Sequence, residues 1–130
     1  MAISQVLVVD DDRAIRATLR QVLEDAGYTV LEAGDGAAAL DVLRASHAPL
    51  VAMVDLMMPK LDGAQLFALV ADDPQLATRH GYILSTASPN TFKLSFVNTL
   101  TRLAAPVLQK PFDIDVVVET VAQVARRLER

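Results

Sequence analysis

Short apolar runs alternate along the chain with segments of helical periodicity. Residues 6–9 and 50–54 are continuous apolar runs, which favour strands buried on both faces of a sheet. Ile15, Leu19 and Val22 recur at the three- and four-residue spacing of a helix that packs one face on a core. The pattern predicts strands over residues 6–9, 28–33, 50–54, 82–84 and 107–109. It predicts helices over residues 13–26, 37–45, 64–71, 88–103 and 114–128.

Glycine, proline and aspartate mark the ends of these predicted elements. Gly27 follows the first helix as a C-terminal cap, Ser88-Pro89 suits the start of the fourth helix, and Asp113 suits the N-cap of the last. Strands and helices that alternate five times imply a parallel sheet with right-handed crossovers and helices on both faces. The sequence therefore predicts a single α/β domain built as a three-layer sandwich.

Composition narrows the class of protein. The chain has 130 residues, of which 52% are hydrophobic and 5% aromatic, as in one aliphatic globular domain. A net charge of -4 without a Lys/Arg cluster argues against direct contact with nucleic acid. The lack of cysteine excludes disulfides and thiolate metal sites. No signal peptide or membrane-spanning segment is evident, so we expect a cytoplasmic protein with no membrane contact.

Charged and polar residues follow four of the five predicted strands. Asp10 and Asp11 follow the first strand, Asp55 the third, Thr86 the fourth and Lys110 the fifth. Ligands of open α/β sheets bind at the carboxyl ends of the strands, where these side chains would meet. Neighbouring carboxylates repel each other unless a cation compensates them. Oxygen ligands favour a hard divalent ion, and Mg²⁺ is the natural candidate.

Such a set of groups suits phosphoryl transfer, which depends mainly on positioning and on neutralising charge. One aspartate would attack phosphorus. The metal and the ammonium of Lys110 would neutralise phosphoryl oxygens, and the hydroxyl of Thr86 would donate a hydrogen bond to another.

Four motifs in this order resemble the response-regulator receiver domain. They are VVDD at residues 8–11, VDLMMPKLDG at 54–63, TA at 86–87 and KPF at 110–112. The resemblance covers nearly the whole chain. It implies a flavodoxin-like (βα)5 fold with strand order 2-1-3-4-5. It also implies that residues 1–130 form one receiver domain with no output domain present.

The resemblance also assigns roles to residues. Asp55 would be the phosphoacceptor, Asp11 a direct Mg²⁺ ligand, Asp10 a ligand through the water shell of the metal, and the carbonyl of Met57 a further ligand. Thr86 and Lys110 would bind the phosphoryl group. Met57 and Ser88 occupy positions that tune self-dephosphorylation in the family, and we expect that reaction to be slow.

The resemblance further implies a signalling domain rather than an enzyme, one that catalyses at most its own phosphorylation and dephosphorylation. A histidine kinase or a histidine phosphotransfer protein would supply the phosphoryl group. A downstream protein or a missing output domain would receive the signal, and a weak homodimer is left open.

One position departs from the family pattern. Receivers usually carry an aromatic residue three places before the lysine, and its ring moves when the threonine does; here this residue is Val107. We predict that a phosphorylation signal runs through the fourth predicted helix and its flanking loops, residues 87–106, without an aromatic rotamer change.

Two other functions remain open at this point. A phosphatase of the haloacid-dehalogenase type would use Asp10 as the nucleophile of a D-x-D motif completed by Asp12. Ala14 stands where that family usually has Thr or Val, and the chain lacks room for a cap domain. The other alternative is a receiver-like interaction module that is never phosphorylated.

The remaining polar and aromatic residues have simple structural interpretations. The other loop aspartates are expected to be helix caps or solvated turns; they are Asp12, Asp62, Asp72 and Asp73. His47 and His80 are expected to be surface residues, and Phe92 and Phe96 to belong to the core.

Overall fold

The computed structural model describes residues 3–88 and 92–129. Within these residues, five parallel strands form one sheet of order β2-β1-β3-β4-β5. The strands are β1 (Gln5–Val9), β2 (Thr29–Ala33), β3 (Val51–Asp55), β4 (Gly81–Thr86) and β5 (Val107–Gln109). The sheet confirms the predicted strand order.

Six helices connect or flank the strands within the same described residues. They are α1 (Arg13–Asp25), α2 (Gly36–Ala45), α3 (Gly63–Ala71), α4 (Pro74–Arg79), α5 (Leu94–Leu103) and α6 (Ile114–Leu128). None of the described helices is both long enough and apolar enough to cross a lipid bilayer.

The core has two parts, one on each face of the sheet. Alternate residues of β1 point to opposite faces: Leu7 and Val9 pack with α2, α3 and α5, whereas Val6 and Val8 pack with α1 and α6. This follows from the two-residue period of a strand. The continuous apolar runs therefore arise because helices cover both faces, and the three-layer α/β prediction is confirmed.

Aspartates cap five of the described helices. Each accepts a hydrogen bond from a backbone N–H of the first helical turn, which leaves fewer of these groups without a partner; they are Asp12, Asp35, Asp62, Asp73 and Asp113. Beyond α1, Gly27 has a φ of 99°, a left-handed conformation that favours glycine. The predicted caps at Asp12 and Asp113 are thus confirmed.

Two helix predictions differ from the structure. No helix was predicted between residues 71 and 82, but the short helix α4 lies there, because Asp73 caps its N-terminus and Pro74 suits a first helical turn. The predicted start of the fourth helix at Ser88-Pro89 is displaced: Ser88 is not helical, Pro89 lies outside the described residues, and α5 begins at Leu94.

The prediction that His80 is a surface residue is wrong, whereas His47 is exposed as expected. His80 is only 2% exposed, at the entry to β4. Its Nδ1 accepts a hydrogen bond from the backbone N–H of Leu50 at 3.0 Å, and its Nε2 lies 3.0 Å from the carbonyl oxygen of Leu43. The imidazole is buried because it satisfies two backbone groups near the ends of α2 and β3.

Candidate functional site

The carboxyl edge of the sheet brings together the three aspartates predicted at the strand ends. β1 and β3 are neighbours in the sheet, so Asp10, just after β1, and Asp55, the last residue of β3, lie at the same edge. One carboxylate oxygen from each of Asp10, Asp11 and Asp55 lies within 4.8 Å of the others. Asp10 and Asp55 are buried and Asp11 is exposed, so the cluster is open to ligands on one side.

Lys110 contributes a positive charge to this cluster. Its Nζ lies 2.8 Å from Oδ2 of Asp10 and 3.2 Å from Oδ1 of Asp55. Burial alone would lower the pKa of Lys110, but the hydrogen bond to Asp10 and the charges of both carboxylates outweigh it and raise the pKa. Lys110 is therefore protonated at neutral pH and offsets part of the negative charge.

The surroundings of Asp55 raise the pKa of its carboxyl group. Burial raises the pKa of Asp55, and the charge of Asp10 raises it further. Lys110 and a hydrogen bond from the backbone of Met57 oppose this rise. A second cation close to Asp55 would stabilise the ionised form, which is the form that can attack phosphorus.

Asp10 is held by four hydrogen bonds. Its backbone N–H donates to the carbonyl of Ala33 in β2, and its Oδ1 accepts from the backbone N–H of Asp12. Its Oδ2 accepts from Lys110, and its carbonyl oxygen accepts from Nη1 of Arg16 at 2.7 Å. Asp10 is thus an anchored member of the cluster.

Thr86 lies at the same edge, at the end of β4. It is 3% exposed, and its Oγ1 accepts a hydrogen bond from the backbone N–H of Ser88 at 3.1 Å. Its carbonyl oxygen accepts from the backbone N–H of Lys110, which ties the last residue of β4 to the residue that follows β5. The hydroxyl proton of Thr86 can therefore be donated to a ligand.

A single open cavity of about 510 Å³ joins the predicted site residues. Its lining includes all six of them, namely Asp10, Asp11, Asp55, Met57, Thr86 and Lys110. The side chain of Met57 is 74% exposed. The predicted role of its carbonyl as a metal ligand stays a prediction, as do the other roles assigned by resemblance.

Two residues at the site were not singled out by sequence reasoning. Arg16 contacts the backbone of Asp10, and nothing in its helical spacing distinguishes it from a surface arginine. Gly63 packs behind Asp55: a Cβ atom added at Gly63 would lie 2.5 Å from the carbonyl oxygen of Asp55. The glycine is visible in the sequence, but the requirement for glycine at this position arises from the close approach to Asp55.

The donor set at this edge fits a magnesium ion. Three carboxylates lie together without a sulfur or imidazole ligand among them, and hard divalent cations prefer oxygen ligands. Lys110 balances only part of the charge of the three aspartates. The cluster therefore has both the ligand type and the unbalanced charge that a divalent cation requires.

Comparison with known sequences identifies the family of this chain. A family model described as the response regulator receiver domain matches residues 6–122. The chain belongs to this family. Among curated proteins, the response regulator MprA of Mycobacterium avium (strain 104) is 50% identical over 62 residues, which are 48% of this chain and 27% of that protein. The receiver chain thus spans about a quarter of the length of the curated relatives it matches.

Solved structures of other receiver domains agree over the whole fold. The CheY-like receiver domain protein from Methanospirillum hungatei JF-1 superposes with a TM-score of 0.83 and 25% identity, covering 97% of both chains. The receiver domain of Francisella response regulator 1452 has a TM-score of 0.81 and 29% identity, covering 95% of this chain and 98% of that one. Both confirm the flavodoxin-like receiver fold predicted from the motifs.

Proposed function

We propose that this receiver domain accepts a phosphoryl group from a phosphohistidine onto Asp55, with Mg²⁺ bound by the acidic cluster. One observation carries the proposal. The carboxylate of Asp55 ends a central strand and faces an open cavity, with Lys110 Nζ 3.2 Å away and the carboxylates of Asp10 and Asp11 beside it.

The chemical step follows from these positions. A carboxylate oxygen of Asp55 attacks phosphorus, the bond between phosphorus and the imidazole nitrogen of the donor breaks, and that nitrogen takes a proton from solvent. The product is an aspartyl phosphate. Lys110 and the hydroxyl of Thr86 bind the phosphoryl oxygens, which lowers the cost of the charge that gathers there.

Asp10, Asp11, Asp55 and the carbonyl of Met57 are the residues that would hold the metal. When bound there, Mg²⁺ would supply positive charge to neutralise the phosphoryl oxygens and help orient the transferring group. Asp10 is buried and each of its carboxylate oxygens accepts a hydrogen bond, which suits a residue that positions water or metal rather than a nucleophile. This weighs against the phosphatase alternative, in which Asp10 would attack.

Locating the phosphorylated residue tests the proposal. The protein is incubated with acetyl phosphate and Mg²⁺, the acylphosphate is reduced with borohydride, and the modified residue is found by mass spectrometry. We expect modification at Asp55, no modification of Asp55→Asn, and normal modification of the control Asp12→Asn, which retains a side-chain oxygen that can cap α1.

Two results would contradict it. Modification at Asp10 would instead support the phosphatase of the haloacid-dehalogenase type. No modification at all, also with a phosphorylated histidine protein as donor, would support an interaction module that is not phosphorylated.

We further propose that the signal passes through α5 rather than through an aromatic residue of β5. Val107 occupies the edge strand and is 39% exposed. On the face of the sheet that α3 and α5 cover, the ring of Phe96 stacks on Phe67 of α3 and contacts Phe92 edge-to-face, with centroid distances of 6.2 and 5.2 Å. Amide spectra with and without beryllofluoride test this route, and unchanged resonances over residues 87–106 would rule it out.

The partners follow from the proposed reaction. A histidine kinase or histidine phosphotransfer protein in the cytoplasm would supply the phosphoryl group. Phosphorylation would add about two negative charges at the edge of the sheet and so bias a surface seen by a downstream protein. Met57 and Ser88 stand at the positions expected to make self-dephosphorylation slow, which the decay of the labelled protein measures.

A further inference from the structure

Arg16 connects the acidic edge of the sheet to β2. Its Nη1 donates to the carbonyl oxygen of Asp10 at 2.7 Å, and its Nε donates to Oε1 of Glu32 at 3.0 Å. The other carboxylate oxygen of Glu32 is bound by Arg20 at 2.7 Å. The side chain of Arg16 is 18% exposed, so this contact is partly shielded from water.

The bond from Arg16 matters because of the residue that follows Asp10. Asp11 is exposed, and no contact of its own side chain fixes its direction in the structure described. The peptide group before Asp11 is held through the Asp10 carbonyl by Arg16. The peptide group after Asp11 is held through the N–H of Asp12 by the Asp10 carboxylate. Fixing both peptide planes fixes the backbone at Asp11, and hence where its carboxylate can lie.

We propose that Arg16 is a positioning residue that sets the Mg²⁺ affinity of the acidic cluster by orienting Asp11 through the Asp10 carbonyl. The inference rests on the proposed function, because it assumes that the cluster binds Mg²⁺. Arg16 itself touches neither the metal nor the phosphoryl group. Groups that orient metal ligands in this way contribute to affinity although they lie outside the coordination sphere.

Charge and position predict opposite results for the removal of Arg16. A positive charge beside an anionic cluster repels a cation, so neutralising Arg16 would strengthen Mg²⁺ binding if charge dominated. Loss of the hydrogen bond to the Asp10 carbonyl would weaken binding, because Asp11 would sample more orientations. The sign of the change therefore separates the two effects.

Arg20 provides a matched control. It carries the same charge, lies one turn further along α1 and binds the same Glu32, but it makes no contact with Asp10. Arg20→Gln removes the same charge as Arg16→Gln and leaves the carbonyl bond in place. Arg16→Lys keeps the charge, but its single nitrogen does not reproduce the fork that reaches Glu32 and the Asp10 carbonyl together.

Titration with Mg²⁺, followed by the amide resonances of residues 10–12 and 55, measures the affinity of each folded variant. We expect Arg16→Gln to bind Mg²⁺ about tenfold more weakly than the wild type, Arg16→Lys to fall between them, and Arg20→Gln to bind as tightly as the wild type or more tightly. Without Mg²⁺, the amides of Asp11 and Asp12 should shift in Arg16→Gln and stay in place in Arg20→Gln.

The possible outcomes distinguish failure of the proposed function from failure of the inference about Arg16. If the wild type does not bind Mg²⁺, the proposed function and the inference fail together. If the wild type binds and Arg16→Gln binds equally or more tightly, the inference alone is wrong. Should Arg16→Gln not fold, Arg16→Lys decides: an affinity equal to that of the wild type would overturn the positioning role.

Discussion

Replacing His80 tests a buried polar side chain that lies away from the acidic edge. The imidazole accepts a hydrogen bond from the N–H of Leu50 and lies within hydrogen-bond distance of the carbonyl of Leu43. Since a backbone N–H can only donate, Nδ1 carries no proton and Nε2 carries it. The histidine is therefore neutral and donates to Leu43.

The magnitude follows from the two groups that the ring satisfies. His80→Leu leaves the Leu50 N–H and the Leu43 carbonyl without partners in a site that is 2% exposed in the wild type. Each unsatisfied buried group costs about 1–3 kcal/mol, so we expect a loss of about 2–6 kcal/mol in the free energy of unfolding. His80→Gln retains one donor and one acceptor and should lose less.

Acid should also destabilise the wild type through this residue. Burial lowers the pKa of His80, and the nearby charge of Arg79 lowers it further, while the hydrogen bond to Leu43 opposes the change. In the unfolded chain the histidine has its ordinary pKa of 6.5, so it binds a proton more readily there than in the folded protein. The contribution of neutral His80 to the free energy of unfolding is therefore fully present above this pKa. It is lost as the pH drops towards the folded-state pKa, by at most about 1.4 kcal/mol per pH unit.

Urea unfolding followed by circular dichroism measures the effects of substitution and of acid. The range of about pH 5 to 8 is suitable because histidine changes its charge there. The difference in unfolding free energy between the wild type and His80→Gln should be constant above the unfolded-state pKa and should change below it. Parallel curves across the whole range would refute the assigned protonation state. A loss in His80→Leu of less than about 1 kcal/mol would refute the role of the two hydrogen bonds.

Three further substitutions test the acidic edge. Gly63→Ala puts a Cβ atom 2.5 Å from the carbonyl oxygen of Asp55, so urea unfolding should show a loss of about 2 kcal/mol or more. Asp12→Ala removes the oxygen that accepts two N–H groups of α1 and should cost about 1 kcal/mol in the same assay. Lys110→Met leaves the carboxylates of Asp10 and Asp55 without their cation. It should cost about 2 kcal/mol, less than for a fully buried pair because Lys110 is 18% exposed. Added Mg²⁺ should then raise its melting temperature more than that of the wild type, and an equal rise would contradict the charge argument.

The sheet could be predicted from the sequence because burial on both faces leaves a distinctive pattern. The apolar runs that predicted strands over residues 6–9 and 50–54 match β1 and β3 to within one residue at each end. The start of α5 could not be predicted in the same way. Phe92 precedes the helix yet packs against Phe96, so its apolar side chain resembled the first turn of the buried stripe.

The acidic cluster was also predictable, because its members sit where strands end. Parallel strands that are neighbours in a sheet end at the same edge, so a residue just after β1 and one at the end of β3 must lie close together. Asp10 and Asp55 meet for this reason, and Lys110 joins them from β5. Hydrophobicity alone predicts where the strands end, and the aspartates and the lysine at those ends form the motif of the site.

His80 and Arg16 were missed for a common physical reason. Each binds a backbone carbonyl that ordinary secondary structure does not satisfy: Leu43 near the end of α2 for His80, and Asp10 after β1 for Arg16. The need for a partner at these carbonyls exists only once the helix or strand has ended and the chain has turned. A sequence pattern gives the type and spacing of side chains. It does not show which backbone carbonyl will lack a partner, because every residue has one. Polar side chains that serve backbone groups therefore resemble surface residues until the fold is known, and in this domain one of them lies directly behind the acidic cluster.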